Sequence, residues 1–531
     1  MTNTIADATQ KSDVIMLVGS NPEEAHPVLG MQIRQAVARG TRLIVVDPRD
    51  IGLTASADVH LKIKPGTNVA LVNGMIHVII EEGLSDGEFV KSRTEGFDEM
   101  VKAVQEYTPQ HVAEICGIKS CEVVEAAKTY ATAERASIMY CLGVTEHTTG
   151  TDGVMALSNL AMVCGNLGRA GCGVNPLRGQ NNVQGACDMG AMPSDFTGYQ
   201  RLADPAAVRK FEDAWGVKLR AKPGLRATEC FQAMEEGDIR GLFLFGEDPM
   251  RTDADVTHVK HALECLDFLV VDDLFLTETA KMADVVLPGR SFAEKEGTFT
   301  NTERRVQRVR KAVQIKGDTK LDTDIFAAIM IRMGYPQKHL SAAQIMDEIA
   351  SLTPNYGGIS HERLDSDELA GRGLQWPCLT PDHPGTPILH KSRFTRGVGK
   401  FSTLAFRPSA EQPDEFYPFI MMTGRVLSQY NARAMTDKTE GLSAMEDTSF
   451  IEVNASDAQR LGIADGDKVS VSSRRGTIAS VARVSEKTNP GQVWMPFHFE
   501  DGNSNVLTHA ALDPLVSVPE LKVCAVSVHK A

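Results

Sequence analysis

The chain has 531 residues, a formal net charge of −14, 42% hydrophobic residues and 23% charged ones. That length exceeds what one hydrophobic core organises and predicts three or four domains. The acidic balance argues against a nucleic-acid partner, which needs a basic surface, but not against an anionic substrate held by a local arginine.

The first predicted unit opens with the apolar run Val14-Ile15-Met16-Leu17-Val18, which reads as a strand covered on both faces. It breaks at Gly19-Ser20-Asn21-Pro22, and a helical pattern then runs from about Val28 to Ala38, with Gly40 as its stop signal. Leu43-Ile44-Val45-Val46 forms the next strand and ends on Asp47-Pro48-Arg49. Strand, turn, helix, strand is a right-handed βαβ unit, which binds ligands at the carboxyl ends of its strands. The design returns downstream. Leu242 to Phe245 runs into Gly246-Glu247-Asp248-Pro249, a helical pattern follows from Val256 to Leu266, and Phe268 to Val271 ends on Asp272. Gly19 to Asp47 is 28 positions and Gly246 to Asp272 is 26, so two related nucleotide-type sites are expected, although repeated βαβ units also occur without shared function. Residues 351–415 are rich in Pro, Gly, Asp and His and read as irregular connection. Beyond them, Lys468 to Ser473, Ile478 to Val484 and Gln492 to Met495 are β-rich runs separated by glycines, a β-barrel pattern. The expected fold class is therefore α/β, with Rossmann-like βαβ domains for a nucleotide-type cofactor and a C-terminal β-barrel. The expected domains span 1–180, 181–400 and 401–531.

Three segments carry candidate chemistry. CGNLGRAGCGVNPLRGQNNVQG, from Cys164 to Gly185, is dense in glycine and side-chain amides, and Arg178 among them offers a fixed fork for a carboxylate or phosphate. Composition alone is equally compatible with a surface loop. EKEGTFTNTERRVQ, from Glu294 to Gln307, brings hydroxyls, amides and the pair Arg304-Arg305, which suit either a polyphosphate clamp or a charged turn. The third segment comprises PFHF (496–499), NSNVLT (503–508) and PELK (519–522); a lone histidine such as His498 is more often structural than metal-binding. The ten cysteines include no CxxC pair and no run spaced for an iron–sulfur cluster, so reduced, mostly buried thiols are expected, with no metal ligand assigned to any residue. No stretch reaches the roughly 18 apolar residues of a membrane span. The N-terminus MTNTIADATQKSD lacks the features of a secretory signal, which favours a cytoplasmic location and leaves open an export signal upstream.

Together these segments resemble the formate dehydrogenase branch of the molybdopterin oxidoreductases along the whole chain. The resemblance rests on VGSNPEEAHP (18–27), VVDPR (45–49), KPGTNVAL (64–71), GVNPLRGQNNVQGACDMGAMP (173–193), GEDP (246–249), ADVVLPG (283–289), EGTFTNTERRVQ (296–307), TGRVL (423–427) and MPFHF (495–499), in family order. It implies two molybdopterin guanine dinucleotides on one molybdenum or tungsten, each guanine nucleotide held by one βαβ unit. By the same resemblance, Gly19, Asn21, Asp47, Arg49, Gly66, Asn68, Gly179, Gln180, Gly246, Glu247, Asp272, Asn301, Asn505 and Lys522 are expected around the cofactor. Arg178 matches the family's active-site arginine, which would grip formate as it is oxidised to carbon dioxide. A nitrate-reductase type of molybdopterin enzyme is the alternative activity, and an inert cofactor-binding fragment the alternative for the chain by itself.

The family's [4Fe–4S] cysteine motif, its lysine between cluster and pterin, and its Cys or selenocysteine metal ligand have no counterpart here; neither Cys164 nor Cys187 takes that role. MTNTI resembles the family a short way past the metal ligand. The expectation is that a [4Fe–4S] cluster belongs only to an upstream segment, which is cut off by a selenocysteine codon read as stop, lost by a genuine truncation, or encoded as a separate polypeptide. The expected partners are formate and an electron-transfer iron–sulfur subunit or domain.

Overall fold

A computed structural model describes residues 1–369 and 371–531. The chain packs as two compact units: Met1–Gly179 with Arg251–Val259 and Ile388–Ala531, and Gln180–Met250 with Lys260–Pro387.

The first unit contains a five-stranded parallel sheet built from β1 (Val14–Val18), β2 (Arg42–Val46), β3 (Val59–Leu61), β4 (Ala136–Tyr140) and β5 (Gly173–Pro176). Its spatial order is β3-β2-β1-β4-β5. The alternating side chains of the strands feed two separate cores, which explains why the runs are continuously apolar. Val14, Met16, Val18, Ile44 and Val46 face one side and pack with helix α2 (Asn68–Glu81). Ile15, Leu17, Leu43 and Val45 face the other and pack with Leu29, Ile33 and Ala36 of α1 (Pro27–Ala38). Pro27 opens α1 at the position where its missing N–H costs nothing, and Gly40, at φ +102, takes the left-handed turn after it. A third helix, α3 (Gly150–Val163), connects β4 to β5.

The same unit holds the expected barrel, whose first strand begins at Phe419. Six strands close in the order Phe419–Gly424, Gln492–Pro496, Phe450–Asn454, Thr477–Ser485, Lys468–Ser472 and Cys524–Lys530, around Met421, Ile451, Val453, Val469, Val493 and Val526.

In the second unit, β6 (Gly241–Phe245), β7 (Phe268–Asp273) and β8 (Val285–Pro288) form a parallel three-stranded sheet with β7 central. It is covered less completely than the first sheet, with Phe245 and Phe268 half-exposed. A hairpin of β9 (Gly297–Thr300) and β10 (Arg305–Val309) follows. Among the described residues no disulfide joins the cysteines, six of which are buried. Among the described residues, no helix is long and apolar enough to cross a membrane, and no group of three or more His, Cys, Asp or Glu side chains is arranged to hold a metal ion.

Candidate functional site

The strand order of the first sheet reverses between β1 and β4, and open α/β sheets bind ligands at the carboxyl ends of strands at such a reversal. The two turns leaving those strands touch. Gly19, at φ +53, donates its N–H to Val46 O (2.8 Å) and accepts from Gly143 N (3.0 Å). A Cβ on Gly143 would lie 2.6 Å from Gly19 Cα, so the crossing requires glycine on both sides. Asn68 Nδ2 (3.2 Å) and His147 Nε2 (3.1 Å) both reach Gly143 O and fix the turn.

Around this crossing lies an open cleft at the carboxyl ends of the strands. Gly19, Asn21, Asp47, Arg49, Gly66 and Asn68, which the resemblance expects around a cofactor, line it from the sheet side. Thr423, Arg425, Trp494 and Lys522 line it from the barrel. Asp47, at the end of β2, accepts Arg49 N–H at 3.0 Å, and burial raises its pKa to about 6 against the pull of Arg49 and Lys522. Arg49 is 8% exposed; its Nη2 lies 2.6 Å from Glu452 Oε2, and its guanidinium carbon sits 3.9 Å from the centre of the Trp494 ring. Lys522 Nζ pairs with Glu146 Oε2 at 2.8 Å. The neighbouring Glu520 is fully buried and accepts Ala410 N–H (2.9 Å) and Thr148 N–H (3.3 Å), which anchors the segment presenting Lys522.

The polar lining of the cleft is of the kind that suits a nucleotide-type group. Ser20 Oγ, Asn21 Oδ1 and Arg49 Nε are buried with no hydrogen-bond partner among the described residues. Each such orphan costs about 1–3 kcal/mol, which a ligand carrying sugar hydroxyls, base amides and phosphates would relieve. Asp47 would accept from the N–H groups of a guanine or from ribose hydroxyls. Arg49, Lys522 and Arg425 would supply cations for phosphates, beside the carboxylates of Glu452 and Glu146.

The second unit repeats the arrangement. Gly246, at φ +63, donates to Asp272 O (2.9 Å), as Gly19 does to Val46 O. Asp272 is 1% exposed, burial and then Asp322 raise its pKa to about 6, and its Oδ2 has no partner among the described residues. Asp248 accepts Thr279 N–H (3.1 Å) and Oγ1–H (2.6 Å) and locks the turn beside the exposed Glu247.

The loop after β5 carries Arg178. Its carbonyl accepts from His26 Nε2 (2.7 Å), and a Cβ on Gly179 would lie 3.4 Å from Arg425 Nη2, so this segment stands beside the cation of the cleft. Gln180 opens the second unit, partly buried.

Other predicted residues are used differently. Arg304, 2% exposed and at φ +65, turns inward to the carbonyls of Trp376, Thr386 (3.0 Å) and Pro387 (3.4 Å), while Arg305 pairs with Glu303 (2.6 Å). These two arginines are not the free polyphosphate clamp that their spacing allowed. Asn301 Oδ1 accepts Glu303 N–H (3.1 Å) and Arg305 N–H (3.0 Å), closing the hairpin turn. Asn505 does not line the first cleft; its Nδ2 donates to Arg251 O (3.0 Å) and Thr252 O (3.2 Å). His498 is structural. Its Nε2 accepts Val426 N–H (3.0 Å), Nδ1 bonds Asn431 O, and burial lowers its pKa to about 4. Sequence reasoning missed Gly143, Arg425 and Trp494. The apolar run before Cys141-Leu142-Gly143 was a usable signal for the first, while the stacking of Trp494 on Arg49 has no local signature.

The family model for molybdopterin oxidoreductase matches residues 1–332, and that for the molydopterin dinucleotide binding domain matches residues 419–525, the barrel. The chain belongs to the molybdopterin oxidoreductase family, and its barrel is a domain for a molybdopterin-type cofactor. Its relatives include subunit alpha of F420-dependent formate dehydrogenase 2 from Methanococcus maripaludis, 50% identical over all of this chain and 78% of that protein. Subunit alpha of F420-dependent formate dehydrogenase from Methanocaldococcus jannaschii is 49% identical with the same coverage. Formate dehydrogenase H of Escherichia coli is 42% identical over 99% of this chain and 74% of that protein. Acetylene hydratase from Pelobacter acetylenicus shares the fold, with a TM-score of 0.76 over 100% of this chain and 79% of that one, at 22% identity.

Proposed function

We propose that this chain is the molybdopterin-dependent catalytic subunit of a formate dehydrogenase, oxidising formate to carbon dioxide, a proton and two electrons. The observation that carries the reading is identity of 42–50% across essentially the whole chain to proteins named formate dehydrogenases, with Arg178 and its flanking motif in place. When bound, the metal–pterin centre supplies the two-electron acceptor, at molybdenum or tungsten. The work of the chain is placement. Arg178 offers two parallel N–H donors to the formate carboxylate, a fork that fixes the C–H bond in one direction. Gln180 shapes the same pocket. Segment 1–180 and the barrel (401–531) hold one guanine nucleotide through Asp47, Arg49 and Lys522, and segment 181–400 holds the other through Gly246, Glu247 and Asp272. An electron-transfer subunit or domain would accept the two electrons.

The test is formate-dependent reduction of an artificial dye by the cofactor-loaded enzyme, with metal and pterin assayed alongside and nitrate offered as a rival substrate. Formate turnover that falls at least tenfold in Arg178→Lys, at unchanged cofactor content, is expected because a lysine point charge cannot form the bidentate pair. Turnover of nitrate but not formate would overturn the proposal.

A further inference from the structure

Asp188 ends the short helix α4 (Val183–Asp188) in the second unit and is fully buried. Its carboxylate is matched on every side by neutral donors. Gln184 Nε2 (2.8 Å) and Tyr199 OH (2.8 Å) reach Oδ1; Tyr356 OH (2.6 Å) and Trp376 Nε1 (2.6 Å) reach Oδ2. The positive charge of Arg304, over the Trp376 ring, also acts on this carboxylate; a buried carboxylate survives only where such donors are already in position, and apolar side chains of similar volume often stabilise a fold at least as well. The arrangement therefore specifies position more than it adds stability.

Strain gathers at the same place. Asn182, at φ +61, precedes α4; Tyr199, at φ +62, supplies one donor; Arg304, at φ +65, stacks over the Trp376 ring at 5.5 Å. Left-handed backbones at non-glycine residues persist where surrounding bonds over-determine them, and they concentrate where a fold holds a functional geometry. Asn182 Oδ1 accepts Thr300 N–H at 2.9 Å, and Gln180 O accepts Val183 N–H at 3.5 Å. The turn Gln180–Asn182 is thus tied at its end to the hairpin and through α4 to the Asp188 cluster.

We propose that Asp188 is a positioning residue for substrate. It sets the turn Gln180–Asn182, the direct continuation of Arg178-Gly179, so that this segment meets a small carboxylate in one fixed geometry. The inference rests on the formate reading above. Tyr356 and Trp376 act with Asp188 by holding its carboxylate.

The test uses the full cofactor-loaded enzyme with Asp188→Asn, which keeps the shape but turns a donor toward Tyr356 or Tyr199, and Tyr356→Phe, which removes one of four bonds. Two readouts are taken: the KM-against-kcat split for formate, and hydrogen exchange of the peptide covering residues 180–190. The expected result is a rise in formate KM of about tenfold or more in Asp188→Asn and a smaller rise in Tyr356→Phe. Faster exchange confined to that peptide and unchanged metal and pterin content should accompany it. Unchanged exchange in the peptide, or loss of cofactor with normal KM in what remains, would overturn the proposal. If wild-type enzyme turns over no formate while exchange in the peptide still rises in both variants, the formate reading fails and the positioning role of Asp188 stands.

Discussion

Asp47 gives the sharpest link between the cleft and the stability of the chain. Burial raises its pKa from 3.8 to about 6, so the folded protein holds the carboxylate in a place that disfavours its charge. At about 1.4 kcal/mol per pH unit, the destabilisation is about 3 kcal/mol at pH 8, about half that at pH 5, and absent below pH 3.8. The sign follows from linkage. A carboxyl with a raised folded pKa contributes stability that is present below its unfolded pKa and lost as pH rises through its folded pKa. Asp47→Asn keeps the Oδ1 acceptor for Arg49 N–H and removes the charge. The variant should therefore be more stable than the parent at pH 8, by up to about 3 kcal/mol, and nearly equal to it at pH 4. It should also bind guanosine diphosphate more weakly, since an amide cannot accept from both N–H groups of a guanine edge. Denaturant unfolding at pH 8, 5 and 4, with and without the nucleotide, reads both effects. An Asp47→Asn variant less stable than the parent at pH 8, or a difference independent of pH, would refute the reasoning.

Glu452→Gln breaks the buried pair with Arg49 and leaves Asp47 as a nearby counter-charge; a loss of about 3 kcal/mol is expected in urea unfolding, and an unchanged midpoint would show that Asp47 and Trp494 suffice to hold the cation. Gly143→Ala sets a methyl 2.6 Å from Gly19 Cα, so the turns must part; the expected outcome is a stability loss of about 1–3 kcal/mol with little pterin copurifying, and full pterin content would count against the crossing as the floor of the site. His498, neutral when folded with a pKa near 4, makes the chain lose stability as pH falls from 6.5 toward 4; His498→Gln should flatten that part of the pH–stability curve, and a parallel curve would contradict the buried, neutral assignment.

The strands that end on Gly19, Asp47, Gly246 and Asp272 were legible because each is a continuous apolar run stopped by a glycine or an acid, and both faces of a parallel sheet demand such runs. The barrel was legible from β-rich runs between glycines, with its first strand at Phe419. What stayed hidden depends on distance along the chain. Gly143 matters because it meets Gly19; the apolar run before Cys141-Leu142-Gly143 signals a strand end at that place but not the contact. Arg304 looked available in sequence, but its left-handed backbone turns it into the interior. Asn505 is occupied by Arg251 and Thr252 because the segment Arg251–Val259 crosses into the first unit, which no local pattern predicts.

The meeting of Gly19 and Gly143 gives the cleft a floor made of main chain alone. Substitutions elsewhere in the sheet can change volumes around such a floor without changing its chemistry, whereas the side chains that could meet the polar groups of a ligand stand on the walls, in Asp47, Arg49 and Lys522. Floor and walls are therefore separable: exchanging wall residues would change which ligand groups the cleft can meet, while the two glycines keep the crossing of the backbone in place.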